Sequence, residues 1–412
     1  MAPDTISVNG RTYRWPRGPV VVVCIDGSEP AYFDHGIAAG ATPAVARFRA
    51  RDVYRLARSV VPSFTNPNNL SIVTGASPAV HGISGNYFYD PATGREVMMN
   101  DPEFLRCETL LAALSRAGAR TVVVTAKDKL RRLLGHGMRG ICFSSERAAG
   151  VTKAEHGIER VTDLVGMPVP DVYSAELSEY VLAAGLELLR RERPDVMYLS
   201  LTDYIQHKHA PGAPVASAFY AMLDRYFDAF DRAGAVLGIT ADHGMNAKVG
   251  PDGQPNVVYL APILDALVGA GRSRVILPIT DPYVVHHGAL GSFATVYLEG
   301  AAVKPVIERL AATPGVAEVY DNPAGSARFE LPADRVGDVI VVGDTHTVLG
   351  KSPEAHDLSL LTEPLRSHGG VSEQTVPFVI NRPLRAEYAR RDGDLRNFDM
   401  FDYVLNGVEW PE

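Results

Sequence analysis

Apolar and polar positions along the chain alternate between short continuous apolar runs and stretches of helical spacing. Pro19 to Ile25 is an apolar run that ends at Asp26-Gly27. Thr42 to Arg51 has helical spacing, and Cys107 to Arg116 reads as an amphipathic helix stopped by Gly118. Arg120 to Thr125 is the next apolar run. Ala175 to Glu192 predicts a long helix with apolar positions at Leu177, Val181, Leu186 and Leu189, and Pro194 ends it. Val196 to Leu201 then predicts a strand, Val215 to Ala233 a helix, and Ala235 to Thr240 another strand. Near-continuous apolar strands alternating with helices predict an α/β fold, with a mostly parallel sheet flanked by helices on both faces.

The rhythm changes near residue 290. Phe293 to Leu298 alternates as a strand, and Ala302 to Ala312 predicts a helix closed by Thr313-Pro314-Gly315. Val316 to Tyr320, Ala327 to Leu331 and Val339 to Val342 predict short strands. These elements assign residues 286–359 to a small α+β cap inserted in a core formed by residues 1–285 and 360–412; Asp344-Thr345-His346 belong to that unit, which is expected to lean over the ligand site. The chain returns to the core with Arg366-Ser367-His368-Gly369-Gly370 and the apolar run Val376 to Ile380.

Composition narrows the partners. Against 40 Lys and Arg stand 48 Asp and Glu among 412 residues, a net charge of -8 with no long basic run, which argues against nucleic acid. The longest strongly apolar run has only strand length, so no membrane span is expected. The first 18 residues are polar and lack the apolar centre of a secretory signal, so a cytoplasmic setting is the expectation. Cys24, Cys107 and Cys142 are few, odd and scattered, which argues against a disulfide framework. A homodimer is compatible with all of this.

Candidate chemistry collects where strands end, the usual place for function in parallel α/β sheets. Asp26 follows the first strand, Asp203 the strand Val196 to Leu201, and Asp242-His243 the strand Ala235 to Thr240. His207 lies four residues after Asp203, which on a helical turn points a carboxylate and an imidazole the same way. His368 comes from the later segment. A lone Asp-Gly usually marks a turn, but this joint set of Asp and His suits Zn²⁺ first, with Mn²⁺ and Fe²⁺ as rivals. Thr65, in Phe64-Thr65-Asn66-Pro67-Asn68, sits at a predicted helix start. Its hydroxyl there is either an N-cap or a nucleophile held at the positive end of the helix dipole.

With Phe64-Thr65-Asn66-Pro67-Asn68, Thr74-Gly75, His81-Gly82-Ile83 and the Asp/His set in place, the sequence resembles the alkaline phosphatase superfamily, in its nucleotide pyrophosphatase/phosphodiesterase branch. The resemblance runs from Asp26 to His368. It implies an alkaline-phosphatase-like core holding two Zn²⁺, one bound by Asp203, His207 and His368 and the other by Asp26, Thr65, Asp242 and His243. It further implies Thr65 as nucleophile and Asn86 as a ligand of the phosphoryl oxygens. Lys127 and Lys129 match the paired lysines that take the carboxylate of a small phosphonate substrate; they follow the strand Arg120 to Thr125, and two apart in a strand-like stretch they are expected to face the same side. The implied reaction is cleavage of the carbon–phosphorus bond of phosphonoacetate, giving acetate and phosphate through a phospho-threonine.

Three other readings are weighed. A nucleotide pyrophosphatase or phosphodiesterase with the same two-metal core calls for an aromatic slot for a base, which Tyr87, Phe88 and Tyr89 are placed to supply. A phosphosugar mutase leaves the two lysines unexplained. A structural zinc domain calls for Cys and His donors rather than carboxylates and a hydroxyl. His81 reads as structural. His286, His287 and His356 read as surface or hinge residues, and Arg106, Arg131 and Arg132 as no more than a source of positive potential.

Overall fold

The computed structural model describes residues 3–51, 54–279, 289–359, 361, 363–391 and 393–410. His286 and His287 lie outside them. The centre is a seven-stranded sheet in the order Tyr54–Arg58, Thr375–Ile380, Val236–Thr240, Val20–Cys24, Val196–Ser200, Thr121–Thr125, Ile141–Ser144. The last five run parallel, and the first two join antiparallel at one edge. The fold is therefore the α/β arrangement expected, with a large mixed sheet between helices.

The apolar run Val20–Cys24, four valines and a cysteine, is buried along its whole length because both faces are covered. Val21 and Val23 pack beneath the helices Glu176–Glu192 and Pro214–Arg232, through residues such as Leu177, Val181, Leu223 and Phe227. Val20, Val22 and Cys24 face the opposite layer, where Leu70, Ile72 and Val73 meet Leu110, Leu114 and Leu133. Each such valine contributes about 1.5–3 kcal/mol by leaving water. All three cysteines are free thiols.

A second sheet is wholly antiparallel, in the order Ser273–Ile276, Phe293–Leu298, Val339–Gly343, Val316–Asp321. Its strands come from both sides of residue 286. The predicted strand Ala327 to Leu331 is instead the end of a helix, Asn322–Phe329. Asp321 caps that helix by accepting from the Ala324 N–H (2.9 Å), Pro323 fits the first turn, and Gly325 lets the helix lie against Ile340. These local signals override the alternation read at its end. Asp344, Thr345 and His346 form an exposed turn beside Ala247 and Lys248 and take no part in lining the cavity described below. Among the described residues, no helix is long and apolar enough to cross a membrane.

Candidate active site

The strand ends gather two clusters of donor atoms, each within 4.8 Å of one another: Asp203, His207 and His368, and Asp26, Asp242 and His243. Asp203 precedes the short helix Tyr204–Lys208, whose single turn brings His207 Nε2 to 2.9 Å from Asp203 Oδ2. His368 Nε2 arrives from the later segment at 4.0 Å from the same oxygen. In the second cluster, His243 Nε2 stands 3.3 Å from Asp26 Oδ1 and 3.7 Å from Asp242 Oδ2.

Backbone carbonyls orient all three imidazoles. His207 Nδ1 bonds the Arg366 carbonyl (2.8 Å), His243 Nδ1 that of Gly244 (2.9 Å), and His368 Nδ1 that of Ser63 (2.7 Å). A carbonyl only accepts, so each Nδ1 carries a proton and each Nε2 is the nitrogen turned toward the cluster. Gly369 makes room for this. Its φ is +120°, and a Cβ there would stand 2.5 Å from the Phe64 ring, which itself meets His368 edge-on.

The donor set fits a divalent cation. Asp26 Oδ1 and His243 Nε2 are buried, converge, and have no hydrogen-bond partner among the described residues. Burial, followed by the charges of Asp203 and Asp242, raises the Asp26 carboxyl well above its usual range. Burial and then Asp203 push Asp242 up to about 7. Burial, with His243 and His207 beside it, holds His368 well below its ordinary value. A cation between carboxylates and neutral imidazoles answers all of these at once.

Thr65 is the first residue of the helix Thr65–Thr74, and Phe64 takes the N-cap position. The Thr65 hydroxyl is therefore not the cap. It lines a cavity of about 60 Å³ with Asp26, Asp203, His368, Asn66, Asn86, Lys127 and Lys129, walled by apolar Met98, Leu130, Leu201 and Ile279. The Asn66 N–H donates to Asn86 Oδ1 (2.9 Å), which leaves the Asn86 amide hydrogens for a ligand. The two lysines do not share a strand face. Lys127 precedes the helix Asp128–Leu134 and Lys129 lies in its first turn, and the start of that helix aims both at the cavity. Burial, then Lys127, lowers Lys129 to about 8.

Other residues are accounted for elsewhere. His81 is buried, accepts from the Ile83 N–H through Nδ1 (3.1 Å) and bonds Ser71 through Nε2 (2.9 Å); burial pushes it down to about 3. His356 accepts from the Lys351 N–H (2.9 Å). Arg106, Arg131 and Arg132 are paired with Asp334, Asp128 and Asp101. Phe88 packs on Phe104, Tyr89 on Tyr297, and the Tyr87 hydroxyl reaches Glu96, so none of the three aromatics lines the cavity. Sequence reading missed Asn69. One turn along the helix from Thr65, it donates to Asp242 Oδ2 (3.2 Å) while its own oxygen accepts from Tyr198 (2.7 Å) and Ser200 (2.9 Å). Its spacing from Thr65 was the available signal.

A profile of the type I phosphodiesterase/nucleotide pyrophosphatase family matches residues 20–370. The chain belongs to that family, and it is a hydrolase by that membership. Within it, the chain is 55% identical to phosphonoacetate hydrolase from Sinorhizobium meliloti 1021, solved with phosphonoformate and with phosphonoacetate. That match covers 98% of this chain and 99% of the other, with a TM-score of 0.94. Murine ectonucleotide pyrophosphatase/phosphodiesterase 5, an inactive variant solved with AMP, shares the fold at 17% identity and a TM-score of 0.61, over 95% of this chain and 96% of that one. An uncharacterized pyrophosphatase/phosphodiesterase of Schizosaccharomyces pombe is 37% identical over 87 residues, which is 20% of this chain. This chain spans 17% of the length of that curated relative.

Proposed function

We propose that this protein hydrolyses the carbon–phosphorus bond of phosphonoacetate, yielding acetate and phosphate. The observation that carries the reading is that Lys127 and Lys129 share one small cavity with Thr65, Asn86 and members of both donor clusters. The 55% identity to a phosphonoacetate hydrolase supports it. A phosphoryl group and a carboxylate a single carbon apart need cations at both ends of a short site, and this cavity offers them.

Asp203, His207 and His368 would hold one divalent ion, zinc by donor type, and Asp26, Asp242 and His243 with the Thr65 hydroxyl the other. Bound there, the ions supply Lewis acidity and positive charge beside the phosphoryl oxygens. Thr65 Oγ, at the start of its helix and in the second donor set, gives its proton to solvent and forms a bond to phosphorus. Asn86 donates to a phosphoryl oxygen and fixes its orientation. The electron pair of the breaking P–C bond passes to the methylene carbon and spreads into the carboxylate as an enediolate. Lys127 and Lys129 hold that developing charge. The carbon then takes a proton to become acetate, and water hydrolyses the phospho-threonine, releasing phosphate and restoring Thr65.

The test is phosphate release from phosphonoacetate by the zinc-loaded protein, beside cleavage of bis-p-nitrophenyl phosphate and with a chelator control. Chelator-sensitive release with weak diester cleavage is the expected result. Diester cleavage without turnover of phosphonoacetate would reassign the protein to the diesterases and leave the lysines without this role.

A further inference from the structure

Lysine is almost never fully buried unless paired, and Lys248 is fully buried. Its ammonium donates to Glu373 Oε1 (2.9 Å) and to the Thr345 carbonyl (2.9 Å). Glu373 is equally enclosed. Its Oε1 also accepts from Asn246 Nδ2 (2.7 Å) and Ser372 Oγ (2.7 Å), its Oε2 from the Gly370 N–H (2.9 Å), and its backbone carbonyl from the Gly244 N–H (2.7 Å). None of this lies in the cavity.

These bonds join particular places. Gly244 directly follows Asp242-His243 of one donor cluster, and Asn246 lies two residues further on. Gly370 follows Gly369, the residue after His368 of the other cluster. The two segments also pair as short antiparallel strands at Asn246–Ala247 and Arg366–Ser367. Thr345 belongs to the turn that ends the second sheet. One carboxylate thus holds both loops, while the lysine that neutralises it anchors them to a third segment. A carboxylate accepting four donors in a dry site has a sharply defined position.

We propose that Lys248 and Glu373 are positioning residues that set the separation of the two metal clusters, a role that rests on the two-metal reading above. They act through the loops and touch neither ion nor substrate. The relative placement of His243 and His368, hence of the two ions, follows from where Glu373 holds Gly244 and Gly370.

The experiment loads the full-length protein and its Glu373→Gln and Lys248→Met variants with Mn²⁺. It measures bound metal by equilibrium dialysis, Mn–Mn exchange coupling by electron paramagnetic resonance, and folding by thermal melting. The parent should bind two ions as a coupled pair. The folded variants should hold the second ion about 10–100-fold more weakly and show altered coupling, the size seen when groups that orient metal ligands are lost. Variants that merely melt earlier, while keeping both ions at parental affinity and coupling, would overturn the assignment and leave the pair a plain structural one. A parent that binds no coupled pair would overturn the two-metal reading and this inference with it. Should the charge changes prevent folding, Asn246→Ala removes one donor without altering charge, and the same metal and coupling measurements decide.

Discussion

His243 and His368 stack face to face, with ring centroids 3.7 Å apart and planes 8° from parallel. Each belongs to a different donor cluster, so the clusters share a wall of two stacked imidazoles rather than lying as separate sites. Two imidazoliums stacked at this distance would repel each other, whereas two metal-bound imidazoles would not carry that charge.

Metal affinity should therefore depend on pH. Asp242 is pushed up to about 7, so below that value protons compete for the carboxylate, and above it the carboxylate is free to bind. Zinc affinity should rise as pH increases through about 7, with proton release on binding. A zinc titration by calorimetry in buffers of different ionisation heat measures both, and pH-independent binding would contradict the cluster assignment.

The metal-free protein should lose stability over part of the same range. The folded-state value of Asp242 lies above its unfolded value, so between the ordinary carboxylate range and about 7 the folded state binds more protons. Stability falls as pH rises through that window. Added zinc should raise the melting temperature most at the top of it, because binding to the native state alone stabilises by mass action. Differential scanning fluorimetry with and without a chelator reads this.

Thr65→Ala should lower phosphonoacetate turnover by about a thousandfold or more, because the atom that bonds to phosphorus is gone. The three His and three Asp donors remain, so zinc content should persist. Steady-state kinetics with metal analysis checks both, and turnover near the parental rate would remove Thr65 from the mechanism.

Lys127→Ala and Lys129→Ala should each cost about a hundredfold on phosphonoacetate and much less on an aryl phosphate ester, whose leaving group carries no carboxylate. Because Lys129 is lowered to about 8, kcat/KM for phosphonoacetate should fall as pH rises past that value and the ammonium loses its proton. That limb should be missing with the aryl ester and in Lys129→Ala. Equal losses on both substrates would argue against the lysines as carboxylate ligands.

Gly369→Ala should reduce metal retention. The left-handed φ alone costs about 1–3 kcal/mol for a non-glycine residue, and the added Cβ must move the Phe64 ring that meets His368 and precedes Thr65. A dialysis measurement showing weaker zinc binding in a folded variant is expected.

Much of the architecture is legible along the chain because it is local. The valine run before Asp26 reads as a buried strand from its own composition, and the apolar stripe of Pro214–Arg232 makes that segment a helix against a sheet. Where competing local signals overlapped, as at Ala327 to Leu331, alternation misled and capping by Asp321 prevailed.

The sequence by itself determined which side chains end the strands: Asp26, Asp203 and Asp242 each stand where a buried apolar run gives way to a polar group. Only the tertiary structure decided how they meet. Phe64 sits in the core beneath the second sheet while Leu70, Ile72 and Val73 sit in the core of the first, so the helix of Thr65 bridges the two. Lys127 and Lys129 converge through a helix start rather than a strand face. Asn69 on Asp242, and Glu373 between the two histidine loops, join positions far apart in sequence. Local periodicity carries no information about such contacts, because they depend on where the folded loops come to rest against one another.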